Sequence, residues 1–238
     1  MERATSFGAD VGAYEQGRPE YVDEHVAWLL DGVNGRVLDL GAGSGKLTRS
    51  VVRLGFEAVA VDPDSAMLTR NTAAPGLIGR ADAIPLPDAS VAAVVVGQAW
   101  HWFDPTTAAA EIARVLGPGG RLGLIWNTRD SSHPFVAALA DIAGASPAEQ
   151  MVADEAVRQA PGFGPFERRQ WSRTRVMTPA EVEAMVASRS AFLTASAAQQ
   201  AQLLGGLREL ISTHPHTAGR ERFDYPLHTT AYRADALS

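Results

Sequence analysis

Val37-Leu38-Asp39-Leu40-Gly41-Ala42-Gly43-Ser44-Gly45 runs from a short apolar segment into a glycine-rich turn, and Lys46 to Leu54 follows with Leu47, Val51 and Leu54 at helical spacing. Arg36 to Leu40 reads as a strand buried on both faces, because valine and leucine occupy it without polar alternation. Ala58 to Val61 repeats that signature, so the chain opens with a strand, helix, strand unit. The glycines at 41, 43 and 45 permit a tight turn and close approach of backbone to a ligand.

Working outward, a helix opens near Asp64, Leu77-Ile78 is a weak third strand and Val91 to Gly97 a fourth. Asp104 is a good N-cap with Pro105 tolerated behind it, and Ala108, Ile112, Val115 and Leu116 make one apolar stripe that Gly117-Pro118-Gly119-Gly120 ends. Arg121 to Trp126 is a fifth strand. Thr178-Pro179-Ala180-Glu181 and Ser196-Ala197-Ala198-Gln199 have capping-box spacing and mark two helix starts. They lie between two extended segments, Phe166 to Val176 and Arg222 to Tyr232. The pattern predicts an α/β, doubly wound, mostly parallel sheet that binds its ligand beyond the carboxyl ends of the strands, with a helical insertion before the last strand.

The turn's spacing separates three ligand classes. A phosphate-binding loop needs glycine where Leu40 stands and a hydroxyl where Leu47 stands, so that reading is rejected. A dinucleotide turn wants a third glycine where Lys46 stands, which disfavours NAD without excluding it. What remains is an acid, Asp39, two residues ahead of G-x-G-x-G. A carboxylate at that strand end can reach a ligand's cationic amino group, directly or through water. Asp62 closes the second strand nineteen positions after Gly43, where its carboxylate can accept from both hydroxyls of a ribose.

This pattern resembles motif I of the class I S-adenosylmethionine methyltransferases. Arg80-Ala81-Asp82-Ala83-Ile84-Pro85-Leu86, the run from Val94 to Asp104, Arg114 to Gly120 and Ile125-Trp126-Asn127 extend the resemblance from about Gly35 to Asp130. It is nearest the type 11 methyltransferases, in the branch around trans-aconitate methyltransferase-like proteins, whose N-terminal lid segment is also matched by Phe7-Gly8, Tyr14 and Arg18-Pro19.

The resemblance implies a seven-stranded Rossmann-like sheet in one domain, divided into an N-terminal lid (1–30), a cofactor-binding core (35–130), and substrate-side helices with closing strands (131–238). It implies S-adenosyl-L-methionine as cofactor and S-adenosyl-L-homocysteine as product. Tyr14, Arg18, Asp39, Gly41, Ala42, Gly43, Gly45 and Leu47 are its expected neighbours, with Asp62, Pro63 and Met67 at the ribose. Ala81, Asp82 and Ala83 are expected at the adenine, and Gln98, Ala99 and Trp102 close the set.

Trp100, His101, Trp126 and Asn127 are the expected acceptor wall. Aromatic faces stabilise a cation by roughly 0.5–2 kcal/mol per contact, although core packing explains such residues as well. An imidazole with its ordinary pKa of about 6.5 can take a proton from an O–H or N–H acceptor. His101 is therefore the candidate catalytic residue, and with a carboxylate acceptor it would only orient the substrate. A small metabolite, such as a carboxylate-bearing compound methylated on O, N or C, is the expected acceptor. The competing classes are a cofactor-binding protein without methyl transfer, one that rearranges its substrate, and an NAD oxidoreductase.

Composition narrows the rest. The 238 residues, 46% hydrophobic, suffice for one large core. No apolar run spans a bilayer and no secretory signal is seen, so the expectation is a cytoplasmic protein without membrane contact. The absence of cysteine removes disulfides and thiolate chemistry, and the six histidines lack zinc-site spacing, so no metal is expected. A net charge of -6 disfavours nucleic acid as a partner. Arg168, Arg169, Arg173 and Arg175 read as a charged edge strand. His133, His214 and His216 read as separate, solvated loop residues, and the assembly is expected to be a monomer or homodimer.

Overall fold

The computed structural model describes residues 19–154 and 160–237, without the side chain of Ser190. Tyr14 and Arg18, with most of the expected lid, lie outside these residues. The elements are α1 (Asp23–Leu29), β1 (Val37–Leu40), α2 (Lys46–Arg53), β2 (Ala58–Asp62), α3 (Ser65–Leu68), β3 (Gly76–Ile78), β4 (Val91–Gly97), a 3-10 turn (Trp100–Trp102), α4 (Pro105–Val115) and β5 (Leu116–Arg129). Then come α5 (Pro134–Ala143), α6 (Pro147–Ala153), β6 (Glu167–Met177), α7 (Pro179–Ala187), α8 (Ser190–Leu193), α9 (Ala197–Thr213) and β7 (Phe223–Asp235).

The strands form one seven-stranded sheet in the order β3-β2-β1-β4-β5-β7-β6. β1 pairs in parallel with β2 and β4, and β7 alone runs antiparallel, between β5 and β6. Side chains alternate across the sheet as a strand's period of two requires. Leu38, Leu40, Val94, Val96, Leu122 and Leu124 face a layer completed by Ile112 and Val115 of α4. Val37, Ala93, Val95 and Ile125 face Val26 and Leu29 of α1 and Val51 of α2. Helices therefore cover both faces, as the near-continuous apolar strands demand. Asp39 shares the parity of Val37, which turns its carboxyl toward α2.

Strand order reverses between β1 and β4, and the crevice beyond that point is where such sheets bind ligands. The glycine turn sits there. The insertion of α7 to α9 forms a separate core, in which Val182, Val186 and Leu207 pack on Phe135 of α5 and on Phe223, Tyr225 and Leu227 of β7. Capping boxes open α7 at Thr178 and α9 at Ser196, and a third at Ser146 opens α6. β6 is the sheet edge, so its arginines lie on an edge strand as expected.

Three readings need correction. β5 begins at Leu116, before the Gly117–Gly120 stop, because Leu116 pairs with Val91 and a bulge separates that pair from Arg121 opposite Ala93. Asp23–Leu29 of the expected lid is a core helix, with Val26 and Leu29 both 0% exposed. The three histidines converge: the His133 and His216 rings are 4.5 Å apart, and His214 and His216 both pack on Phe135. Burial, with the charges of His216 and His214, holds the His133 imidazole below its ordinary pKa.

Candidate active site

The turn after β1 is a backbone cradle. Gly41 N and Ala42 N donate to Val61 O at 2.8 and 3.1 Å, tying the turn to the end of β2. Gly41 has φ +72, and a Cβ there would stand 2.7 Å from that of Ala99, so only glycine fits. Gly45, with φ +88, leads into α2, and a side chain there would fall on the Asn71 amide.

Two carboxylates flank this cradle. Asp62 Oδ2 accepts from Gly43 N and Oδ1 from Asp64 N, each at 2.8 Å. Two backbone donors thus fix a group whose four lone pairs are only half used. Burial still raises its pKa above the ordinary carboxylate value despite those bonds. Asp64 caps α3 through Ala66 N and Met67 N and so presents Met67 beside Asp62.

Asp39 is 1% exposed. Its Oδ2 accepts from Thr48 Oγ1 at 2.6 Å, and Asn71 Nδ2 holds that hydroxyl at 2.9 Å. Oδ1 is buried without a partner among the described residues. Burial pushes the Asp39 carboxyl up to about 7 against the Thr48 bond, with the charge of Asp62 adding to the rise. A buried acceptor left open in this way is a place for a ligand's donor.

These groups border two adjoining recesses. The smaller, about 30 Å³, is lined by Asp39, Gly41, Ala42, Lys46, Leu47 and Asn127, with Pro19 and Tyr21 at its edge. The larger, about 140 Å³, begins at Gly41, Gly43, Asp62, Pro63 and Met67 and continues past Ala99, His101 and Trp102. Its far wall comes from Ala143, Ala145, Ser146, Ala148, Arg189 and Ala191. Gln98 borders both recesses at a strained φ of 59, and its Nε2 donates to Asn127 O at 2.8 Å.

Other expected residues stand elsewhere. Trp100 and Trp126, expected on the acceptor wall, are 2% and 0% exposed and belong to the core on the α4 face. Strand parity explains Trp126, which follows Leu122 and Leu124 onto that face, while the 3-10 turn directs Trp100 inward and His101 and Trp102 to the recess. Asn127 borders the Asp39 recess rather than the larger one, with its Oδ1 accepting from Thr229 Oγ1 at 2.7 Å and Arg173 Nη1 at 3.4 Å. Asp82 borders neither recess. Its two oxygens accept from Arg80 at 2.9 and 2.7 Å, a pair on an exposed loop, while Ala81 is buried and Ala83 exposed.

The sequence reading missed Lys46 and, although it expected the segment after residue 131 to supply much of the pocket, named none of the far-wall residues; Phe103, one of the aromatic residues expected past the fourth strand, does line the larger recess. Ser146-Pro147-Ala148-Glu149 carried a usable signal, being a capping box of the same form as the two recognised. Among the described residues no group of three or more side chains suits a metal ion, and no helix is long and apolar enough to cross a membrane.

Sheet order, glycine turn and strand-end acids together define a class I S-adenosylmethionine-dependent methyltransferase. Residues 38–124 match the family model described as a methyltransferase domain. An uncharacterized methyltransferase of Mycobacterium tuberculosis is 45% identical over 98% of this chain and 96% of its own, and one of Schizosaccharomyces pombe is 34% identical over 98% and 97%. The chain belongs to this methyltransferase family. A putative type II methyltransferase from Anaeromyxobacter dehalogenans shares the fold, with a TM-score of 0.66 at 22% identity over 92% of this chain and 97% of that one.

Proposed function

We propose that the chain transfers a methyl group from S-adenosylmethionine to a small-molecule acceptor held in the larger recess. The observation that carries this is the continuity of that recess, which runs from the Gly41 and Asp62 cradle past His101 and Trp102 to the alanine wall. Donor and acceptor would share one chamber.

When bound, S-adenosylmethionine supplies a methyl group on a sulfonium that is displaced in line by a nucleophile. The residues fit this cofactor. Asp39 Oδ1, the orphaned buried acceptor, would take the ligand's amino group, and the remaining lone pairs of Asp62 would take the ribose hydroxyls. Gly41 and Gly43 leave room for close approach, and Ala42, Gly45 and Leu47 shape the turn. Pro63, Met67, Gln98, Ala99 and Trp102 form the walls. Asp82 would serve the adenine amino group by exchanging its contact with Arg80.

Because the donor is activated in itself, the protein supplies alignment and exclusion of water. Trp102 and Phe103 offer aromatic surface beside the His101 imidazole. For an O–H or N–H acceptor His101 takes the proton released as the new bond forms; for a carboxylate it orients the substrate.

Incubation with methyl-labelled S-adenosylmethionine and small-molecule acceptors tests the reading. Labelled product with stoichiometric S-adenosylhomocysteine supports it. Tight cofactor binding with no transfer to any acceptor would favour a non-methylating role instead. Asp62→Ala is expected to weaken cofactor binding on the order of 100-fold, the loss of two charge-assisted hydrogen bonds, by calorimetry.

A further inference from the structure

Behind the buried Asp39 carboxyl runs a chain of hydrogen bonds that ends on only one of its two oxygens. Ala73 N donates to Asn71 Oδ1 at 3.3 Å, Asn71 Nδ2 to Thr48 Oγ1 at 2.9 Å, and Thr48 Oγ1 to Asp39 Oδ2 at 2.6 Å. All three side chains are withdrawn from solvent, Thr48 at 0%, Asp39 at 1% and Asn71 at 7% exposure. Asn71 follows α3, and it reaches α2 because Gly45 has no Cβ to collide with its amide. The chain therefore ties the loop after α3 to the carboxyl near the end of β1.

The chain has a direction. A backbone N–H only donates, so Ala73 makes Oδ1 the accepting end of the Asn71 amide and leaves Nδ2 to donate to Thr48. The Thr48 hydroxyl accepts that bond and keeps its own proton to give, and 2.6 Å is the length of an O–H donor on a carboxylate oxygen. Oδ2 is then an acceptor, and the proton of the neutral acid belongs on Oδ1, the oxygen buried without a partner among the described residues. The neighbouring charges are few. Asp62 of β2 opposes ionisation of Asp39, while the Thr48 bond favours it. Lys46 of α2 and the Tyr21 phenol share the smaller recess, Lys46 in an ion pair with Glu20 at 3.0 Å. β4 sets Val95 opposite Asp39, and Arg173 of β6 stands behind Asn127, donating to its Oδ1 at 3.4 Å.

We propose that Thr48 and Asn71 are positioning residues that hold the proton of Asp39 on Oδ1, and that Asp39 releases it to solvent, one proton per ligand, when a ligand ammonium takes its place. The balance is plain: the Oδ1–H bond breaks, its proton goes to water, and the ammonium keeps all of its own. The proposal rests on the reading of Asp39 as the anchor for the amino group of S-adenosylmethionine. Loss of the Thr48 donor would make ionisation of Asp39 harder and move ligand binding to higher pH.

Two measurements on the whole chain test this, and neither needs methyl transfer. Calorimetry of S-adenosylhomocysteine binding, repeated in buffers of different ionisation enthalpy, counts protons released. With the Asp39 carboxyl at about 7, the wild type is expected to release close to one proton per ligand at about pH 6. Carboxyl carbon-13 NMR of the ligand-free protein follows the Asp39 midpoint itself. Thr48→Val keeps the shape and removes the donor, and is expected to raise that midpoint by about one pH unit and to weaken binding roughly 10-fold at about pH 6. Asn71→Leu lets the Thr48 proton turn to a carbonyl of its own helix and should shift the midpoint the same way by less. Thr48→Ser retains the hydroxyl and should keep the wild-type midpoint. A role confined to packing would change affinity alike at every pH and leave the midpoint in place. An unmoved midpoint in Thr48→Val and Asn71→Leu, or wild-type binding at about pH 6 without proton release, overturns the proposal. A midpoint that moves in a protein that takes no S-adenosylhomocysteine upholds the relay and counts against the amino-group reading of Asp39.

Discussion

Cofactor affinity is expected to depend on pH through one buried acid. Asp39 is 1% exposed, and burial lifts its carboxyl from 3.8 to about 7, so the empty site is largely protonated in mildly acidic solution. A ligand ammonium at Oδ1 binds only the ionised form. Ionisation rises from a few per cent at about pH 5.5 to most of the population at about pH 7.5, which predicts affinity growing about 20- to 30-fold across that interval. Above about pH 8 the ligand's own amino group sets the upper limb.

The sign for stability is opposite. The folded pKa lies above the unfolded value, so the native state holds the extra proton between about pH 4 and about pH 7. Apo stability therefore falls as pH rises through that window, by up to about 4 kcal/mol for a shift of about three units at about 1.4 kcal/mol each. Calorimetric titration with S-adenosylhomocysteine, together with urea melts of the apo protein, measures both. Asp39→Asn is expected to flatten the two profiles and to bind weakly throughout. A wild-type affinity constant from pH 5.5 to 7.5, or an Asp39→Asn variant that keeps the wild-type slope, would refute the role given to Asp39.

Gly41→Ala forces φ +72 on a β-carbon 2.7 Å from that of Ala99, and is expected to cost about 1–3 kcal/mol in urea denaturation and to abolish detectable cofactor binding. Burial pushes the Glu149 carboxyl up, but the hydrogen bond from Arg129 and the charges of Arg189 and Arg129 outweigh it and bring the pKa down from 4.5 to about 2. Its stabilisation is present above about pH 4.5 and lost as pH falls through about 2, so Glu149→Gln should cost about 3 kcal/mol at neutral pH and little near pH 2 in denaturant melts. Ser146→Ala removes one side of the capping box on α6 and should lower stability by about 1 kcal/mol, with a larger effect on acceptor KM than on cofactor affinity. His101→Gln should lower kcat on the order of 100-fold for an O–H or N–H acceptor, with S-adenosylhomocysteine binding retained, as a stopped assay of labelled product would read.

The glycine turn and its flanking acids were legible because they are written in backbone constraints and at short range. Gly41 and Gly45 need positive φ, Asp62 closes an apolar strand, and Asp104 and Pro105 open α4, so each follows from its immediate neighbours. Trp100 and Trp126 were harder because an aromatic residue at a strand end reads alike whether it faces a ligand or the core. Only the parity that Trp126 shares with Leu124 and the direction of the 3-10 turn decide between them. The histidines misled for a similar reason, since His133 and His216 are far apart in sequence and meet where Phe135 of α5 and His216, beyond α9, both pack on Phe223.

The far wall of the larger recess shows the same limit at its strongest. Arg129 closes β5, Glu149 lies in α6, and Arg189 precedes α8, and they meet across separations of 20 and 40 residues without a shared local pattern. What joins them is the cost of burial. A guanidinium that shallowly lined a surface could vary freely, but one at 9% exposure needs a carboxylate to hold it, and Glu149 is itself tied to the capping box at Ser146. The capping box that starts a helix and the ion pair that fixes Arg189 are therefore one structure. A change at Ser146 should reach the larger recess through Glu149 and Arg189, while cofactor binding through the contacts proposed for Asp39 and Asp62, anchored on β1 and β2, should be independent of it.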